Sequence, residues 1–221
     1  MGSNERRERA KEETRRRILD AARELFASEG ADAVTMRRIA ERIEYTPTAI
    51  YVHFKDKLAL LRELMTSDLQ VFAAHFASVA AVEDPIERMC TMGHAYVDFA
   101  LTHPNHYRLL FITTLPIPKT ELTPAAGTGS PEEDAYTMLE LVVGAALASG
   151  RLRPEHTDLP LLCQTVWSCM HGVASLAISM RCHAEFEWRP VSDITAMTLQ
   201  CMVRGLVRDG DPYLSTLGAH P

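Results

Sequence analysis

Long apolar stretches are missing from this sequence of 221 residues. It has no run of eighteen uninterrupted apolar residues to span a membrane, and its charged first seventeen residues lack the apolar segment of a secretory signal. The most apolar stretches, around residues 139–147 and 163–180, are too short or are interrupted by Glu140, Gln164 and His171. We therefore expect a cytoplasmic protein that has no membrane partner.

Paired cysteines and the common catalytic motifs are missing as well. The cysteines are odd in number and form no Cys-x-x-Cys pair, which suits buried thiols in a reducing compartment. The sequence has no glycine-rich phosphate loop, no Gly-x-Ser-x-Gly elbow and no identifiable pair of catalytic carboxylates. We therefore expect no catalytic residue, no enzyme activity and no cofactor. The cysteines are Cys90, Cys163, Cys169, Cys182 and Cys201.

A small group of potential metal ligands consists of His103, His106, Cys182 and His183. Pro104 breaks the helix that would align the two histidines of the first pair, and no further ligand has the spacing that is diagnostic of a zinc site. We expect no metal site, and a metal sensor or an enzyme is the less favoured alternative for the function.

Positive charge is scarce overall and is concentrated at one end of the chain. The formal net charge is −6, yet residues 1–60 carry thirteen Lys and Arg against eleven Asp and Glu. This leaves +2 in that segment and −8 in the rest of the chain. A polyanionic partner is therefore expected at the N-terminal end.

The patterns that are present are almost all helical. Apolar residues recur at spacings of three and four, and cap signals such as Thr35, Thr46-Pro47 and Asp84-Pro85 mark helix starts. No alternation of apolar and polar residues is long enough to require a sheet. We predict an all-α fold in two domains, residues 1–57 and 58–221, with the first helix starting at Lys11. The same patterns predict disorder over residues 1–10 and a mobile loop over residues 115–130.

Residues 35–53 meet the requirements of a helix-turn-helix, in which two short helices are joined by a turn of a few residues. Ile50 can face the core, so that the rest of the second helix faces outward. There, Thr hydroxyls and methyls can read base edges, and Tyr51 and His53 can reach phosphates. The alternative for these two residues is that they close the core of a small three-helix domain, as we expect of Phe54.

Two segments carry a resemblance to a known family. They read Thr-Met-Arg-Arg-Ile-Ala from Thr35 and Thr-Pro-Thr-Ala-Ile-Tyr-Val-His-Phe-Lys-Asp-Lys from Thr46, and they resemble the DNA-binding signature of the tetracycline-repressor (TetR) family. The resemblance covers about residues 11–61. The sequence departs from the family pattern at Glu44, where glycine is usual, and a left-handed residue there costs about 1 kcal/mol without glycine. It also departs at Thr48, where a small residue is frequent.

The resemblance implies a sequence-specific, DNA-binding transcription regulator. It implies an N-terminal three-helix helix-turn-helix domain and a larger helical domain for ligand binding and dimerisation. Thr46 and Thr48 would lie in the major groove, and Arg37 would reach bases or backbone, although a solvated charge is the alternative for Arg37. The full set of predicted DNA-binding residues is Thr35, Arg37, Tyr45, Thr46, Pro47, Thr48, Tyr51, His53 and Lys57.

Members of the family are typically dimers whose last two long helices form a four-helix bundle with the partner. Two stripes at spacings of three and four could supply this interface, and the alternative is packing within one chain. We expect a homodimer, because helix-turn-helix proteins commonly pair to read two half-sites. The stripes are Leu161, Thr165, Ser168, Gly172 and Ser175 on one helix, and Ile194, Met197, Cys201 and Gly205 on the next.

The C-terminal part further resembles the subset of the family that carries a Trp-x-x-x-His-Gly segment, through Trp167 to Gly172 and Tyr107 to Phe111. The resemblance implies a cavity for a small, largely apolar effector, in which Trp167 forms a wall and His171 binds a polar group. A packed aromatic and a satisfied core histidine are the alternative for this pair. The predicted ligand-binding residues are Met89, Met92, Tyr96, Phe99, Tyr107, Phe111, Met138, Trp167, Met170 and His171.

The favoured function is repression that an effector relieves. An effector that binds better to a dimer shape mismatched to DNA lowers the affinity for the operator by its differential affinity for the two shapes. An activator, or a DNA-binding regulator without an effector, is the alternative that the sequence leaves open.

Overall fold

The computed structural model describes residues 3–115, 135–180 and 187–217. In these ranges the backbone forms helices and no named strand, with one isolated antiparallel bridge between Leu152 and Val207. The all-α prediction is confirmed. The α-helices are α1 (Ser3–Glu29), α2 (Met36–Arg42), α3 (Pro47–Tyr51), α4 (Lys57–His75), α5 (Pro85–Thr102), α6 (Pro104–Tyr107), α7 (Ala135–Ala148), α8 (Leu159–Ser179), α9 (Val191–Leu206) and α10 (Pro212–Thr216). A 3-10 helix (Ala77–Ala81) follows α4, and a π-helix (Arg108–Ile112) follows α6.

The predicted cap residues stand at the starts of their helices. The hydroxyls of Thr35 and Thr46 each accept a backbone N–H of the following turn, at 3.1 and 3.3 Å, and the Asp84 carboxylate accepts two such groups. Pro47 and Pro85 occupy the first turn, where the missing N–H costs nothing. The predicted starts of α2, α3 and α5 are therefore confirmed.

Helix α1 is longer than the sequence analysis predicted. The prediction placed residues 1–10 in a disordered segment, whereas the structure continues the helix back to Ser3. Residues 3–17 contain no glycine or proline and are rich in Arg and Glu, which are good helix formers. The i,i+3 ion pair of Arg16 with Glu13, at 2.7 Å, adds local support. The structure thus corrects the prediction for residues 3–10, because a high density of charge of both signs is compatible with a helix.

The chain divides into two compact units. The first is Met1–Leu69 with Asn105–Thr123, and the second is Gln70–Pro104 with Pro124–Pro221.

The first unit extends beyond the predicted domain boundary between residues 57 and 58. Leu60 and Leu64 of α4 are fully buried in the same core as Ile18 of α1 and Ile50 of α3. Leu109 of the π-helix is fully buried there as well. The boundary therefore lies farther along α4, because the apolar face of this helix completes the core of the first unit.

The second unit is built around α8, which packs against α5, α7 and α9. Gly93 brings α5 close to two of these helices, since a Cβ atom there would lie 2.7 Å from Leu199 Cδ2 and 3.0 Å from Met170 Sδ. By length and composition, α8 is the single helix of the described ranges that could cross a membrane, and 39% of its apolar window is buried. Its three packing partners identify it as the central helix of this unit.

An ion-pair network joins distant parts of the second unit. The Arg151 guanidinium donates to both carboxylate oxygens of Asp211, at 2.8 and 2.7 Å, and also to the Asp84 carboxylate. Asp211 is 4% exposed. Hydrogen bonds from Arg151 hold the pKa of the Asp211 carboxyl group below its usual range. Burial raises the pKa of Asp84, but the Glu87 N–H and then Arg151 outweigh it, so that this pKa is lowered as well. The network thereby ties the starts of α5 and α10 to the end of α7.

Parts of three predictions lie outside the described residues. These are residues 116–130 of the mobile loop, the helix start that the cap sequence Ser130-Pro131 predicts, and the potential metal ligands Cys182 and His183.

Candidate functional site

Helix α3 buries one face and exposes the other. Ile50 is fully buried, whereas Tyr51 is 51% exposed. Thr46, Pro47 and Thr48 are exposed as well. The helix is thus anchored by one aliphatic side chain and offers hydroxyl, pyrrolidine and phenol groups to solvent. Groups of this kind can contact base edges and phosphate oxygens in a DNA groove.

The turn before α3 has the left-handed residue that the sequence analysis predicted. Glu44 has a φ of 60°, and it is the single non-glycine residue with positive φ in the described ranges. The Tyr45 N–H donates to the Ala40 carbonyl at 2.9 Å, and the Glu44 N–H donates to the Glu41 carbonyl at 3.3 Å. These two bonds form the Schellman motif that ends a helix. The prediction for Glu44 is confirmed, and the motif sets the direction in which the chain enters α3.

On α2, Thr35 and Arg37 are exposed. The Thr35 hydroxyl caps the helix, as described above, and the Arg37 guanidinium lies 2.9 Å from the Glu41 carboxylate. An exposed i,i+4 pair of this kind is weak and can exchange with another anion. Both residues can therefore reach a ligand that binds beside α3.

Tyr45 is half-buried between the turn and α1. Its hydroxyl accepts a hydrogen bond from Arg17 at 3.2 Å, and the Arg17 guanidinium carbon lies 5.2 Å from the centre of its ring. Arg17 was not among the predicted residues, since nothing in the sequence around α1 pairs it with Tyr45. Together the two side chains place one guanidinium and one phenol at the start of α3.

The other end of α3 is held by Arg15, which the sequence analysis also missed. Its guanidinium donates to the His53 carbonyl at 2.9 Å and lies 4.4 Å from the centre of the Phe54 ring. It also forms an ion pair with Glu63. Phe54 is 2% exposed, so its predicted place in the core agrees with the structure. Arg15 of α1 thereby holds the residues that follow α3 in place and connects them to Glu63 of α4.

His53 and Lys57 are half-buried, in contrast to the exposed Pro47, Thr48 and Tyr51 of α3. Burial of His53, with the nearby charges of Arg15 and Lys11, lowers the pKa of its imidazole below the ordinary value. Its Nδ1 atom is buried without a hydrogen-bond partner. The Lys57 ammonium donates to the Ala31 carbonyl. His53 is therefore a neutral side chain at pH 7, and Lys57 is engaged with the backbone of its own unit.

In the second unit, the predicted ligand-binding residues are mostly core residues. Met89, Met92, Phe99 and Met170 are between 0 and 7% exposed. Met138 on α7 is half-buried. These five side chains lie on α5, α7 and α8, three helices that pack against one another.

Three of the predicted residues form a hydrogen-bonded cluster, which we call the Trp-Tyr-His cluster: Trp167, Tyr96 and His171. The Trp167 indole N–H donates to the Tyr96 hydroxyl at 3.0 Å, and this hydroxyl lies 3.1 Å from His171 Nδ1. Burial lowers the pKa of the His171 imidazole, so the ring is neutral at pH 7 and its Nδ1 can accept the tyrosine proton. Tyr96 is 7% exposed, whereas Trp167 is 37% exposed. The cluster thus runs from the core to the surface of the unit.

Two of the predicted ligand residues, Tyr107 and Phe111, lie on α6 and on the π-helix. Both belong to the first unit, where Tyr107 is fully buried and the centres of the two rings lie 5.2 Å apart. The predicted set is therefore divided between the units. The π-helix packs Leu109 into the core around α1, a long-range packing that the short motif does not reveal.

A cavity of about 550 Å³ opens between α8, α9 and the segment before α9. None of the ten predicted ligand residues lines it. Trp188 is 44% exposed beside it, and Arg189 supplies the one positive charge of the lining. The other lining residues are Ser168, Cys169, Gly172, Val173, Leu176, Ala177, Met180, Val191, Ile194 and Thr198.

The outer faces of α8 and α9 expose several large apolar side chains. Leu161, Leu176 and Met197 are 61, 50 and 61% exposed. Gly172 and Gly205 have no atom within 4 Å of the position of an added Cβ. The predicted dimer stripes therefore lie on accessible faces, with room for close approach.

The described residues contain no group of three His, Cys, Asp or Glu side chains placed to hold a metal ion. His103 belongs to the second unit and His106 to the first, and the other two predicted ligands lie outside the described residues.

Comparisons with known proteins agree with this geometry. Residues 18–64 match the family described as bacterial regulatory proteins, tetR family, and residues 89–206 match the tetracyclin repressor-like C-terminal domain. A curated relative, the uncharacterised HTH-type transcriptional regulator YobS of Bacillus subtilis, is 29% identical over 94 residues. The match covers 42% of this chain and 49% of YobS, so the chain spans about half the length of that relative.

Solved structures show the same fold. A TetR family transcription regulator from Marinobacter aquaeolei has a TM-score of 0.69 at 19% identity, and the match covers 90% of this chain and 98% of that one. A protein of unknown function from Rhodococcus has a TM-score of 0.63 at 24% identity, with 88% of this chain and 95% of that one covered. With the C-terminal match spanning more than half of the sequence, the chain belongs to the tetR family of bacterial regulatory proteins.

Proposed function

We propose that this chain is a cytoplasmic repressor that binds its operator as a homodimer and is released by a small, largely apolar effector. The observation that supports operator reading most directly is the exposed face of α3. There, Thr46, Pro47 and Thr48 stand free of the core while Ile50 fixes the helix from beneath. Side chains of this type at the start of a short second helix are placed to read base edges in the major groove.

The remaining predicted DNA contacts take different roles in this proposal. Thr35, Tyr51 and His53 bind phosphates, His53 as a neutral donor because its pKa is lowered. Arg37 can turn from Glu41 to bases or backbone. Lys57 would first have to leave the Ala31 carbonyl, so we assign it to holding the loop before α2. Tyr45 contacts DNA together with Arg17.

We assign the dimer interface to the exposed faces of α8 and α9. Large apolar side chains exposed on two neighbouring helices, here Leu161, Leu176 and Met197, are typical of a surface that another chain covers. The cavity beside Trp188 opens on the same face. Two copies related by a two-fold axis would place two α3 helices for two half-sites, about 34–36 Å apart when they match one turn of DNA.

We assign the effector to the core around the Trp-Tyr-His cluster. The buried methionines there are flexible and can adapt to an apolar ligand, and the cluster offers polar atoms to orient it. Membership of the Trp-x-x-x-His-Gly subset is part of this proposal. An effector that binds better to a dimer with a mismatched spacing would shift the population away from the DNA-binding shape.

The proposal is tested first on DNA. A random-sequence duplex pool selected on the purified chain should yield an enriched operator, and its affinity is then measured by fluorescence anisotropy. The double variant Thr48→Ala with Tyr51→Ala should lose at least about tenfold in affinity, because a base contact and a phosphate contact are each worth about 1 kcal/mol or more. Thr66→Ala, an exposed threonine on α4, is the matched control and should bind like the parent.

Three further results would contradict parts of this proposal. A double variant that binds like the parent would contradict the assignment of α3, and a monomer in sedimentation at micromolar concentration would contradict the dimer. A reporter behind the operator should be silenced by the chain, since activation would contradict repression. A screen of small apolar compounds should find one that raises the thermal midpoint and releases the operator, and His171→Phe should weaken that effect.

A further inference from the structure

The charge of the first unit is distributed in an unexpected way. Residues 18–60, which hold α2 and α3, carry six Lys and Arg against seven Asp and Glu, a net charge of −1. Residues 1–17 carry seven against four, a net charge of +3. The positive excess at this end of the chain therefore comes from the beginning of α1, and not from the helix-turn-helix itself.

The cations around α2 and α3 are also neutralised locally. Each arginine between residues 18 and 60 has a carboxylate partner within 3.2 Å, and Lys57 is engaged with the Ala31 carbonyl. Lys55 lies 3.9 Å from the Asp56 carboxylate. Binding to a duplex depends largely on neutralising phosphates. Cations outside the helix-turn-helix that have no such partner are therefore available to add to the binding. The pairs are Arg23 with Asp20 and Asp68, Arg37 with Glu41, Arg38 with Glu29, and Arg42 with Glu24.

The beginning of α1 supplies such cations on one face. Ile18 and Ala22 of α1 are fully buried in the core. Counting back at helical spacing, Lys11 and Arg7 continue the same stripe toward the N-terminus. Both are exposed, and neither forms an ion pair with a described residue. One face of α1 is therefore apolar around Ile18 and Ala22, where it covers the core. The same face is basic at Arg7 and Lys11, nearer the N-terminus.

This basic face begins beside the end of α3. Arg15 donates to the His53 carbonyl at 2.9 Å, and the charge of Lys11 is close enough to lower the pKa of the His53 imidazole. Arg7 is two turns before Arg15, a distance of about 12 Å along the helix axis. A duplex carries one charge per about 1.7 Å of its axis, so several phosphates fit within that length.

We propose that Arg7 and Lys11 bind phosphates of the duplex that flank the segment read by α3. These contacts carry no base information, and they add affinity to what Arg37 of α2 contributes when it leaves Glu41. Helix α1 thus contributes both to the core of the first unit and to the binding of DNA phosphates. The inference extends the proposed DNA contacts of α2 and α3 to a second element.

The test compares two double variants that remove the same charge from opposite faces of α1. Arg7→Gln with Lys11→Gln removes the basic face. Arg9→Gln with Arg16→Gln changes the net charge equally on the other face, where Arg16 already pairs with Glu13. Binding to a fluorescein-labelled, mixed-sequence 40-base-pair duplex is measured by anisotropy over a range of KCl concentrations. Each lost phosphate contact lowers the slope of log K against log salt by about 0.9.

We expect the R7Q/K11Q variant to lose about 1.8 of slope per bound protomer and at least about tenfold in affinity at 50 mM KCl. The R9Q/R16Q variant should keep the parent's slope to within about 0.5, since its charges face away from the duplex. The charge-preserving variant R7K/K11R should match the parent, and circular dichroism should show equal helicity in all four proteins.

Equal slopes for R7Q/K11Q and R9Q/R16Q would overturn the inference, because a general effect of net charge would then explain both. Loss of slope in R7K/K11R would overturn it as well, since the contacts are to charge and not to a particular side chain. A parent chain that fails to bind the duplex would contradict the proposed function itself. The two failures are therefore distinguishable.

Discussion

The exposed face of α3 and the Trp-Tyr-His cluster differ in the sequence distance that separates their residues. The predicted DNA-facing residues fall almost entirely between Thr35 and His53, where caps and a turn place them. In the cluster, Tyr96 and His171 are 75 positions apart, and their contact depends on the packing of α5 against α8. A local sequence pattern therefore determines the first site, whereas only the assembled unit determines the second. Long-range contacts should accordingly have the largest effects on stability.

The largest effect is expected at the Arg151 network of the second unit. Arg151→Met leaves the Asp211 carboxylate, which is 4% exposed, without its partner. Breaking a buried ion pair from one side costs about 3–5 kcal/mol, because the remaining charge is buried without compensation. Urea unfolding followed by tryptophan fluorescence measures this directly, since Trp167 and Trp188 both lie in the second unit.

Arg153→Met is the matched control for this prediction. Arg153 pairs with Asp209 at 2.8 Å, but the Asp209 side chain is 84% exposed. An exposed pair contributes about 0–1 kcal/mol, so the free energy of unfolding should change little. If R151M and R153M lose equal free energy of unfolding, burial of the Arg151 network is not what makes its ion pairs stabilising.

A second prediction compares the pH dependence of the two units. Burial raises the pKa of Asp68 in the first unit to about 6, and Arg23 offsets only part of this effect. The folded state then keeps its proton to higher pH than the unfolded chain, so the contribution of Asp68 is most favourable below about pH 4. It becomes less favourable by up to about 3 kcal/mol as the pH rises through 6. Asp84 and Asp211 in the second unit have lowered pKa values, so their contributions are lost as the pH falls.

Asp68→Asn isolates this contribution. The free energy of unfolding of the parent, minus that of D68N, should decrease between pH 4 and pH 7 in urea titrations followed by circular dichroism. Asp20→Asn removes the exposed partner of the same arginine, whose carboxyl side chain is 57% exposed, and should show a much smaller trend. Parallel curves for the parent and D68N would contradict the raised pKa.

Much of the first unit could be predicted from sequence because its signals are short-range. Thr35, Thr46 and Pro47 start their helices where the cap rules place them, and Glu44 adopts the predicted left-handed conformation. The extent of α1 could not be predicted, since the same charged residues suit a helix and a solvated tail. The anchoring of α3 by Arg15 was also missed, because a cation over an aromatic ring 39 residues away leaves no local pattern.

Less of the second unit's site could be predicted. The resemblance named methionines of the second unit as ligand-binding residues, but it could not tell that Tyr107 and Phe111 belong to the first unit. The cavity beside Trp188 depends on how α8 packs against α9. The spacing of apolar residues within each helix does not determine that packing. Helix α10 was not predicted, although Asp211-Pro212 is a start signal of the same kind as Asp84-Pro85.

A third prediction tests whether the Trp-Tyr-His cluster stabilises the second unit. Tyr96→Phe removes the hydroxyl that joins Trp167 to His171 and keeps the ring that lies 6.0 Å from Phe72. Each hydrogen bond contributes about 0.5–1.5 kcal/mol, so the free energy of unfolding should fall by about 1–2 kcal/mol. The tryptophan emission should also change, because the indole loses its acceptor. Trp167→Phe is the companion variant, and a Y96F protein as stable as the parent would contradict a structural role for the cluster.

The smallest effect is expected at Glu44, where the helix-turn-helix departs from the family pattern. Glu44→Gly should raise the free energy of unfolding by about 1 kcal/mol, because glycine adopts a φ of 60° without the steric cost of a Cβ atom. Glu44→Ala removes the same carboxylate but keeps the Cβ, so it should gain nothing. Gly30→Ala is the reverse change: φ is +81° there and a Cβ would meet no atom within 4 Å, so any loss of about 1 kcal/mol is conformational. If E44A stabilises the chain as much as E44G, the removal of charge explains the gain and backbone strain does not.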